Sequence, residues 1–262
     1  MYTDQLFDWL PFWALFVGTI VVVLLSLDVG FRLGRRERRR RAPDGETPAA
    51  STAAATLGLL ALMLGFTFGM AVSRFDARKQ LVLDEANAIG TAYLRAELLP
   101  QPYGADIQRL LREYVEVRLE GIQPGRFEGA MARSEALHDL LWSQAIIVGE
   151  QHPSSVMAGL FIHSLNEVID LHAKRVTTGV RNRIPGVVWG GLYLVSIFGM
   201  LATGYHAGLS GAGRSSAVMA LTLGFTVVIL LIVDLDRPQA GLVKVSQQAL
   251  VDVQSSILRR TR

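Results

Sequence analysis

Cysteine is absent from this chain, and charge is scarce in it. With no cysteine among its 262 residues, the chain can form neither a disulfide nor a thiolate metal site. Charged residues make up 19% of the sequence and hydrophobic residues 50%, which is less charge than a typical soluble domain carries. The sequence also contains no phosphate-binding glycine loop, no nucleophile elbow and no His-Glu-x-x-His motif. These absences predict a protein that is not an enzyme and needs no cofactor.

Hydrophobic residues are instead concentrated in four runs, each about as long as a membrane-crossing helix. The runs are rich in glycine and end in charge, proline or glycine, as membrane helices often do. Buried core helices of a soluble protein are the alternative, but four such runs make it a poor one. The sequence therefore predicts an all-α integral membrane protein with four transmembrane helices in two hairpins. The runs are Leu10 to Leu27, Ala53 to Val72, Val187 to Ala202 and Ala217 to Val233.

The second run continues without proline into a polar helix that extends to Leu98, so one long helix is expected to leave the membrane and enter water. Helical patterns follow it up to the third run, which predicts an extramembrane helical domain between the second and third transmembrane helices. The predicted segments are a first transmembrane helix with its N-terminal flank (1–34), a basic polar loop (35–52), the second transmembrane helix (53–73), the extramembrane helical domain (74–184), the third transmembrane helix (185–205), a short loop (206–216), the fourth transmembrane helix (217–234) and a C-terminal amphipathic tail (235–262).

The basic residues predict the orientation. Seven of the 26 lysine and arginine residues lie between Arg32 and Arg41, directly after the first membrane run. A net charge of +3 could suggest a nucleic-acid partner, but a cluster beside a membrane span is an orientation signal and a contact for lipid. By the positive-inside rule this loop is cytoplasmic. The N-terminus, the 74–184 domain and the C-terminus are then extracytoplasmic.

Charged residues lie where the second and fourth membrane helices end. They are Arg74, Asp76 and Arg78 after the second helix, and Asp234 and Asp236 after the fourth. If the two helices are neighbours, these side chains can form a structural ion-pair network. The alternatives are a vestibule that attracts ions, or a carboxylate site for a hard cation such as calcium. We assign no metal site to these residues from the sequence.

The second membrane helix has two distinct faces. Small residues on one face allow close helix packing, and they are Gly58, Gly65 and Gly69. The neighbouring face would line a narrow apolar pore if several copies surrounded an axis, and is otherwise a packed face. Its residues are Leu59, Leu62, Phe66, Met70 and Ser73.

The histidines give weaker signals. His163, Glu167 and Asp170 fall at i, i+4 and i+7 of one helix, which is compatible with a metal face but is more typical of a solvated polar face. No partner can be named from the sequence for His138 or His172.

Four stretches of the chain resemble the bestrophin-like family of bacterial and plant membrane proteins. The first runs from Leu64 to Lys79 (LGFTFGMAVSRFDARK) and the second from Glu85 to Pro100 (EANAIGTAYLRAELLP). The others are Asp170 to His172 with Arg181 to Arg183, and Asp234 to Gln248 (DLDRPQAGLVKVSQQ). This family is distantly similar to the bestrophin channels, which are pentamers whose long second helix lines the pore.

The resemblance implies a channel with its neck at Phe66 and with Leu62 one turn earlier. The channel motif beyond the neck, Ala-x-x-Arg-aromatic followed by Arg, matches Ala71 to Phe75 and Arg78, whereas Thr67 and Gly69 stand where the channels have Arg and Asn. Asp234 and Asp236 would correspond to the acidic calcium-binding segment of animal channels. The resemblance thus implies a pentamer and an inorganic ion (chloride, sodium or calcium). It also implies a cytosolic helical domain and cytosolic termini, opposite to the orientation that the basic loop predicts.

Two functions remain open from the sequence. The first is an oligomeric bestrophin-like ion channel of the bacterial inner membrane, with its pore lined by the second transmembrane helix. The alternative is a non-conducting membrane scaffold or sensor whose helical extramembrane domain binds a partner.

Overall fold

A computed structural model describes residues 11–40, 48–211, 216–237 and 242–260, and every regular element in these ranges is helical. Four of the helices, α1, α2, α6 and α7, are long and apolar enough to cross a membrane. The predicted all-α membrane fold is confirmed, and its arrangement in two hairpins stays a prediction. The helices are α1 (Phe12–Arg38), α2 (Ala49–Ala96), α3 (Tyr103–Glu120), α4 (Phe127–Gln151), α5 (Val156–Val176), a π-helical turn (Thr177–Arg181), α6 (Gly186–Ser210), α7 (Ser216–Asp236) and α8 (Gln248–Arg260).

Parts of four predicted segments lie outside the described residues. They are residues 1–10 of the N-terminal flank, 41–47 of the basic loop, 212–215 of the short loop, and 238–241 and 261–262 of the C-terminal tail.

The chain divides into two compact units. The membrane unit comprises Met1–Phe75 and Arg181–Lys244, and the helical unit comprises Asp76–Val180 and Val245–Arg262. At roughly 1.5 Å per residue, α2 is about 72 Å long, more than twice the thickness of a bilayer core. Its apolar first half belongs to the membrane unit and its polar second half to the helical unit.

Helices α1 and α6 make the closest helix contact of the membrane unit. A methyl group added at Gly30 or Gly34 of α1 would collide with the backbone of α6, and one added at Gly204 or Gly208 would collide with the backbone of α1. The residues that face one another rise in number together along both helices, so the two helices are parallel. Small residues are what such an approach requires, because in lipid helices associate by close packing rather than by hydrophobic burial.

The apolar half of α2 packs on α6 by side chains. A Cβ added at Gly191 or Gly199 of α6 would contact the side chain of Met63 or Leu57 of α2, at 3.6 and 3.7 Å. Leu60 and Leu64 are buried in the core of this unit. One face of α2 therefore belongs to the packed interior of the chain.

The helical unit has an ordinary apolar core, built from α3, α4, α5 and α8 with the second half of α2. Helix α3 buries Leu110, Leu111 and Val115 on one stripe, as the helical spacing of the sequence predicts. The N-cap of α5 is Ser155, whose side chain accepts a hydrogen bond from the amide of Ala158 at 3.2 Å. The C-terminal helix α8 contributes Leu250 and Ile257 to this core, so the segment from Val245 onward is part of the unit.

Candidate functional site

The predicted pore face of α2 is uncovered within the chain. Leu59, Leu62, Phe66, Met70 and Ser73 are all exposed, and Phe66 is 72% exposed. Since Leu60 and Leu64 are buried on the opposite side, this face is turned away from the chain's own helices. An apolar surface on a membrane helix meets either lipid or another copy of the protein.

The three glycines predicted to pack are equally open. A Cβ added at Gly58, Gly65 or Gly69 would have no atom within 4 Å. The close approach within this chain is between α1 and α6, at Gly30 and Gly34 of α1 and at Gly204 and Gly208 of α6. Packing at the α2 glycines therefore requires a partner outside this chain.

The charged residues at the end of the membrane part of α2 fall in both units. Arg74 belongs to the membrane unit, where Nη2 lies 3.7 Å from the sulfur of Met70 one turn earlier. Its Nη1 is buried and has no hydrogen-bond partner among the described residues. Asp76 is exposed and Arg78 is buried, and both belong to the helical unit. The ion-pair ring that would join Arg74 and Arg78 to the two acids stays a prediction.

The two acids at the end of α7 hold backbone amides. Asp234 accepts hydrogen bonds from the amides of Leu242, at 2.6 Å, and Val243, at 2.9 Å, one on each carboxylate oxygen. Asp236 accepts one from the amide of Ile184, at 3.0 Å, just before α6 begins. Both carboxylates are buried. They therefore fix the segments that enter α6 and leave α7, which is a structural task that the sequence pattern alone did not reveal.

In residues 11–40, 48–211, 216–237 and 242–260, no three histidine or acidic side chains come together in an arrangement that could hold a metal ion. His163, Glu167 and Asp170 are exposed on α5, the placement typical of a solvated polar face.

The most concentrated polar chemistry lies inside the helical unit, around Glu85. This side chain of α2 is 0% exposed. Arg118 of α3 places Nε 3.0 Å from Glu85 Oε1, and Arg175 of α5 donates from Nη1 to Oε2. Arg175 also donates to Gln247 Oε1 at 3.1 Å, which ties in the segment before α8. One buried carboxylate thus joins three helices, and because two guanidiniums face it, the cluster carries one excess positive charge.

A tyrosine and two histidines complete this Glu85 cluster. Tyr114 donates its hydroxyl proton to Glu85 Oε1 at 2.8 Å, and the hydroxyl oxygen of Tyr114 lies 3.1 Å from Nδ1 of His172. Because the single tyrosine proton is already given to Glu85, we assign the proton of His172 to Nδ1 as the donor to tyrosine. The ring of His138 stands edge-on to that of His172, with centroids 4.8 Å apart. Nε2 of each histidine is buried and has no hydrogen-bond partner in the part of the chain that the structure describes.

Burial and charge fix the protonation of this cluster. Burial raises the pKa of Tyr114 well above its ordinary value, and the neighbouring Glu85 carboxylate raises it further. Burial lowers the pKa of His138 to about 4 and that of His172 to about 3, and Arg118 lowers both further. Burial alone would raise the pKa of Glu85, but Arg118 and Arg175 outweigh it and the pKa lies below its ordinary value. Both histidines are therefore neutral at pH 7, and Glu85 is ionised.

Comparison with known families identifies the chain. A family described as the Bestrophin-like domain matches residues 14–250, which is most of its length. The chain belongs to the bestrophin-like family. Comparisons with curated proteins and with solved structures returned no significant match.

Membership confirms the resemblance drawn from the sequence and, at the level of the family, suggests a channel-type function. In this bestrophin-like chain, Phe66 and Leu62 lie on the open face of α2. The second stretch that carried the resemblance begins at Glu85, which is the centre of the buried cluster. His172 of the third stretch belongs to the same cluster.

The Glu85 cluster of this bestrophin-like chain was not found from the sequence, although one signal was available. Glu85 falls on the same helical stripe as the buried residues Val82, Ile89 and Ala92. An acid on an apolar stripe is expected to have a buried partner. Identifying Arg118 and Arg175 as those partners required the tertiary structure.

Proposed function

We propose that the protein is an oligomeric ion channel whose pore is lined by the open face of α2. Several copies surround an axis, with Leu59, Leu62, Phe66 and Met70 of each copy turned toward it. Leu62 and Phe66 form the narrowest part, which conducts when it is wetted and closes when it dries. The proposal includes no catalytic activity and no organic cofactor.

One observation carries this proposal. In a chain of the bestrophin-like family, the long helix exposes a continuous apolar face beside three glycines that none of the described helices covers. Lipid alone could cover the apolar side chains, but open glycines one turn apart are the usual place for a neighbouring helix to approach. The glycine face therefore supports contact between copies, and the neighbouring Phe66 face then points to the axis.

The charged residues that follow Met70 along α2 would lie at one end of this pore. Arg74, Asp76 and Arg78 come one to two turns later, so they form the ion-attracting vestibule of the proposed channel. Asp234 and Asp236 hold backbone amides of the membrane unit. A pentamer and a small inorganic ion, such as chloride, sodium or calcium, follow the pattern of the bestrophin channels.

Conductance of purified protein in planar lipid bilayers tests the channel. We expect wild-type protein to conduct, and we expect Leu62→Ala and Phe66→Ala to raise the open probability because they widen and wet the neck. Leu194→Ala and Phe198→Ala are matched controls, since these side chains of α6 are exposed to a similar degree but lie on another helix. Absence of conductance, or equal changes in both pairs of variants, would contradict the proposal.

The proposed location is the bacterial inner membrane, crossed by two hairpins. The N-terminus, the helical unit and the C-terminus are extracytoplasmic, because the basic residues after α1 favour the cytoplasm. A topology reporter fused to the C-terminus measures this directly. An extracytoplasmic signal supports the orientation, and a cytoplasmic signal replaces it with the orientation of the bestrophin channels.

A non-conducting scaffold or sensor is the alternative function, and one surface favours it. Leu94 and Leu98 at the end of α2 are exposed apolar side chains, as are Val156 and Met157 at the start of α5. The two helix ends are adjacent, because Arg95 Nη1 donates to the carbonyl of Leu160 at 2.8 Å. A partner that binds the helical unit could cover this surface. Native mass spectrometry in detergent separates the two functions, since a scaffold can be a monomer or dimer whereas a pore needs several copies around an axis.

A further inference from the structure

The membrane unit contains a cavity that takes no part in the proposed pore. It has a volume of about 410 Å³ and lies between α1, α6 and α7, within the size range of small-ligand pockets. Its walls are mainly apolar, with Leu24 and Leu25 from α1, Ala207 from α6 and Val218 from α7. A cavity with such walls at membrane depth suits a hydrocarbon chain and does not suit a polar metabolite.

One end of the cavity is charged. Asp28 and Arg32 of α1 line it, and they pair with each other at 2.6 Å between Oδ2 and Nε. This ion pair neutralises the one acid among the described residues of the cavity wall, while the side chain of Arg32 stays 77% exposed. An anion approaching this end therefore meets an accessible guanidinium and a carboxylate that is already paired.

The positive charge continues beyond the cavity on the same face of α1. Leu25, Asp28 and Arg32 follow helical spacing, and the next positions on that face are Arg36 and Arg39, both exposed. From Arg32 to Arg40 the chain has six arginines and one glutamate. An apolar cavity thus opens onto a strongly cationic turn.

We propose that this site binds one anionic glycerophospholipid. An acyl chain fills the cavity between α1 and α7, and the headgroup phosphate binds Arg36 and Arg39 with the exposed side of Arg32. Arginine suits this task because its guanidinium binds phosphate oxygens in pairs. A free phosphate would use the same arginines but would leave the apolar cavity unfilled. The site is independent of whether the protein conducts.

Native mass spectrometry of the full-length protein in detergent tests the site with defined lipids. We expect phosphatidylglycerol to bind about tenfold more tightly than phosphatidylcholine with the same acyl chains, because each basic side chain near the surface adds to anionic-lipid affinity. Millimolar inorganic phosphate is expected not to displace the lipid. Equal binding of the two lipids would overturn the proposal, and displacement by inorganic phosphate would replace the lipid site with a simple anion site.

Two variants separate the two halves of the site. Val218→Phe fills the cavity and is expected to abolish tight binding of phosphatidylglycerol, whereas Ala220→Phe, on the exposed side of α7, is expected to leave it unchanged. Arg36→Gln with Arg39→Gln is expected to remove the preference for phosphatidylglycerol. The control is Arg259→Gln with Arg260→Gln, which removes equal charge from the last turn of α8.

Wild-type affinity in Val218→Phe, or an unchanged lipid preference in the Arg36 and Arg39 double variant, would contradict the proposal. The arginine variant is informative even if Val218→Phe does not fold, because both arginines are surface residues.

Discussion

Both units of this chain are helical, but the helices within each unit are held together by different interactions. In the membrane unit, α1 and α6 approach so closely at Gly30 and Gly204 that no side chain fits between them. In the helical unit, α2, α3 and α5 are joined through the buried Glu85 cluster. In lipid, apolar burial does not drive helices together, so shape and small residues decide the contact. In water, the apolar core supplies the driving force, and a buried ion cluster can fix which helix faces which.

Removing the centre of the Glu85 cluster is expected to have the largest effect. Glu85→Ala leaves the mostly buried side chains of Arg118 and Arg175, 9% and 17% exposed, without their carboxylate. This loss is expected to destabilise the helical unit by about 3–5 kcal/mol. Thermal unfolding of purified protein in detergent measures the loss. The control is Glu97→Ala, one residue after the end of α2, whose side chain is exposed and lies 4.0 Å from that of Arg260. Equal stability of the two variants would show that the cluster does not hold the unit together.

Acid should weaken the helical unit through its two buried histidines. The pKa of His138 falls from 6.5 to about 4 on folding, and that of His172 to about 3. Above pH 6.5 both states hold neutral histidines. As the pH falls below 6.5, the unfolded chain binds protons that the folded unit excludes, so the free energy of unfolding decreases until the pH reaches the folded-state pKa. At pH 5 the expected decrease is about 2 kcal/mol per histidine.

Unfolding measured at pH 7.5 and pH 5 checks this expectation. His138→Leu and His172→Leu should each lose less stability than wild-type protein over the same interval. If both variants lost as much stability as the wild-type protein between pH 7.5 and pH 5, other groups would be responsible for the acid sensitivity.

Adding a methyl group at the α1–α6 contact is expected to have a smaller effect on stability. Gly204→Ala places a methyl group against the backbone of Leu27, and because backbone cannot swing aside, we expect a loss of about 1–3 kcal/mol. Gly18→Ala is the matched control on α1, where an added methyl meets nothing within 4 Å. Unfolding in detergent compares the two, and a neutral Gly204→Ala would mean that the helices can separate without cost.

The sequence predicts the elements of this fold better than their partners. Hydropathy identified the four membrane helices because a run of about twenty apolar residues is rarely found outside a membrane helix. The glycines that pack within the chain were not singled out because Gly65-xxx-Gly69 and Gly30-xxx-Gly34 are the same local pattern, and a pattern in one helix does not identify the helix that it meets. The Glu85 cluster was missed because Arg118 and Arg175 lie 33 and 90 residues away along the chain. Pairing over such distances is set by tertiary packing.

The absence of cysteine allows a direct measurement of the central claim, that the open face of α2 lines a conducting pore. A single Phe66→Cys substitution introduces the chain's sole thiol, and a charged methanethiosulfonate reagent can then be applied while current is recorded in planar bilayers. Phe198→Cys, on the exposed face of α6, is the control. The account predicts that the reagent changes the current through Phe66→Cys and leaves Phe198→Cys unaffected. Conductance through Phe66→Cys that the reagent does not alter, or no conductance in the wild-type protein, would contradict it.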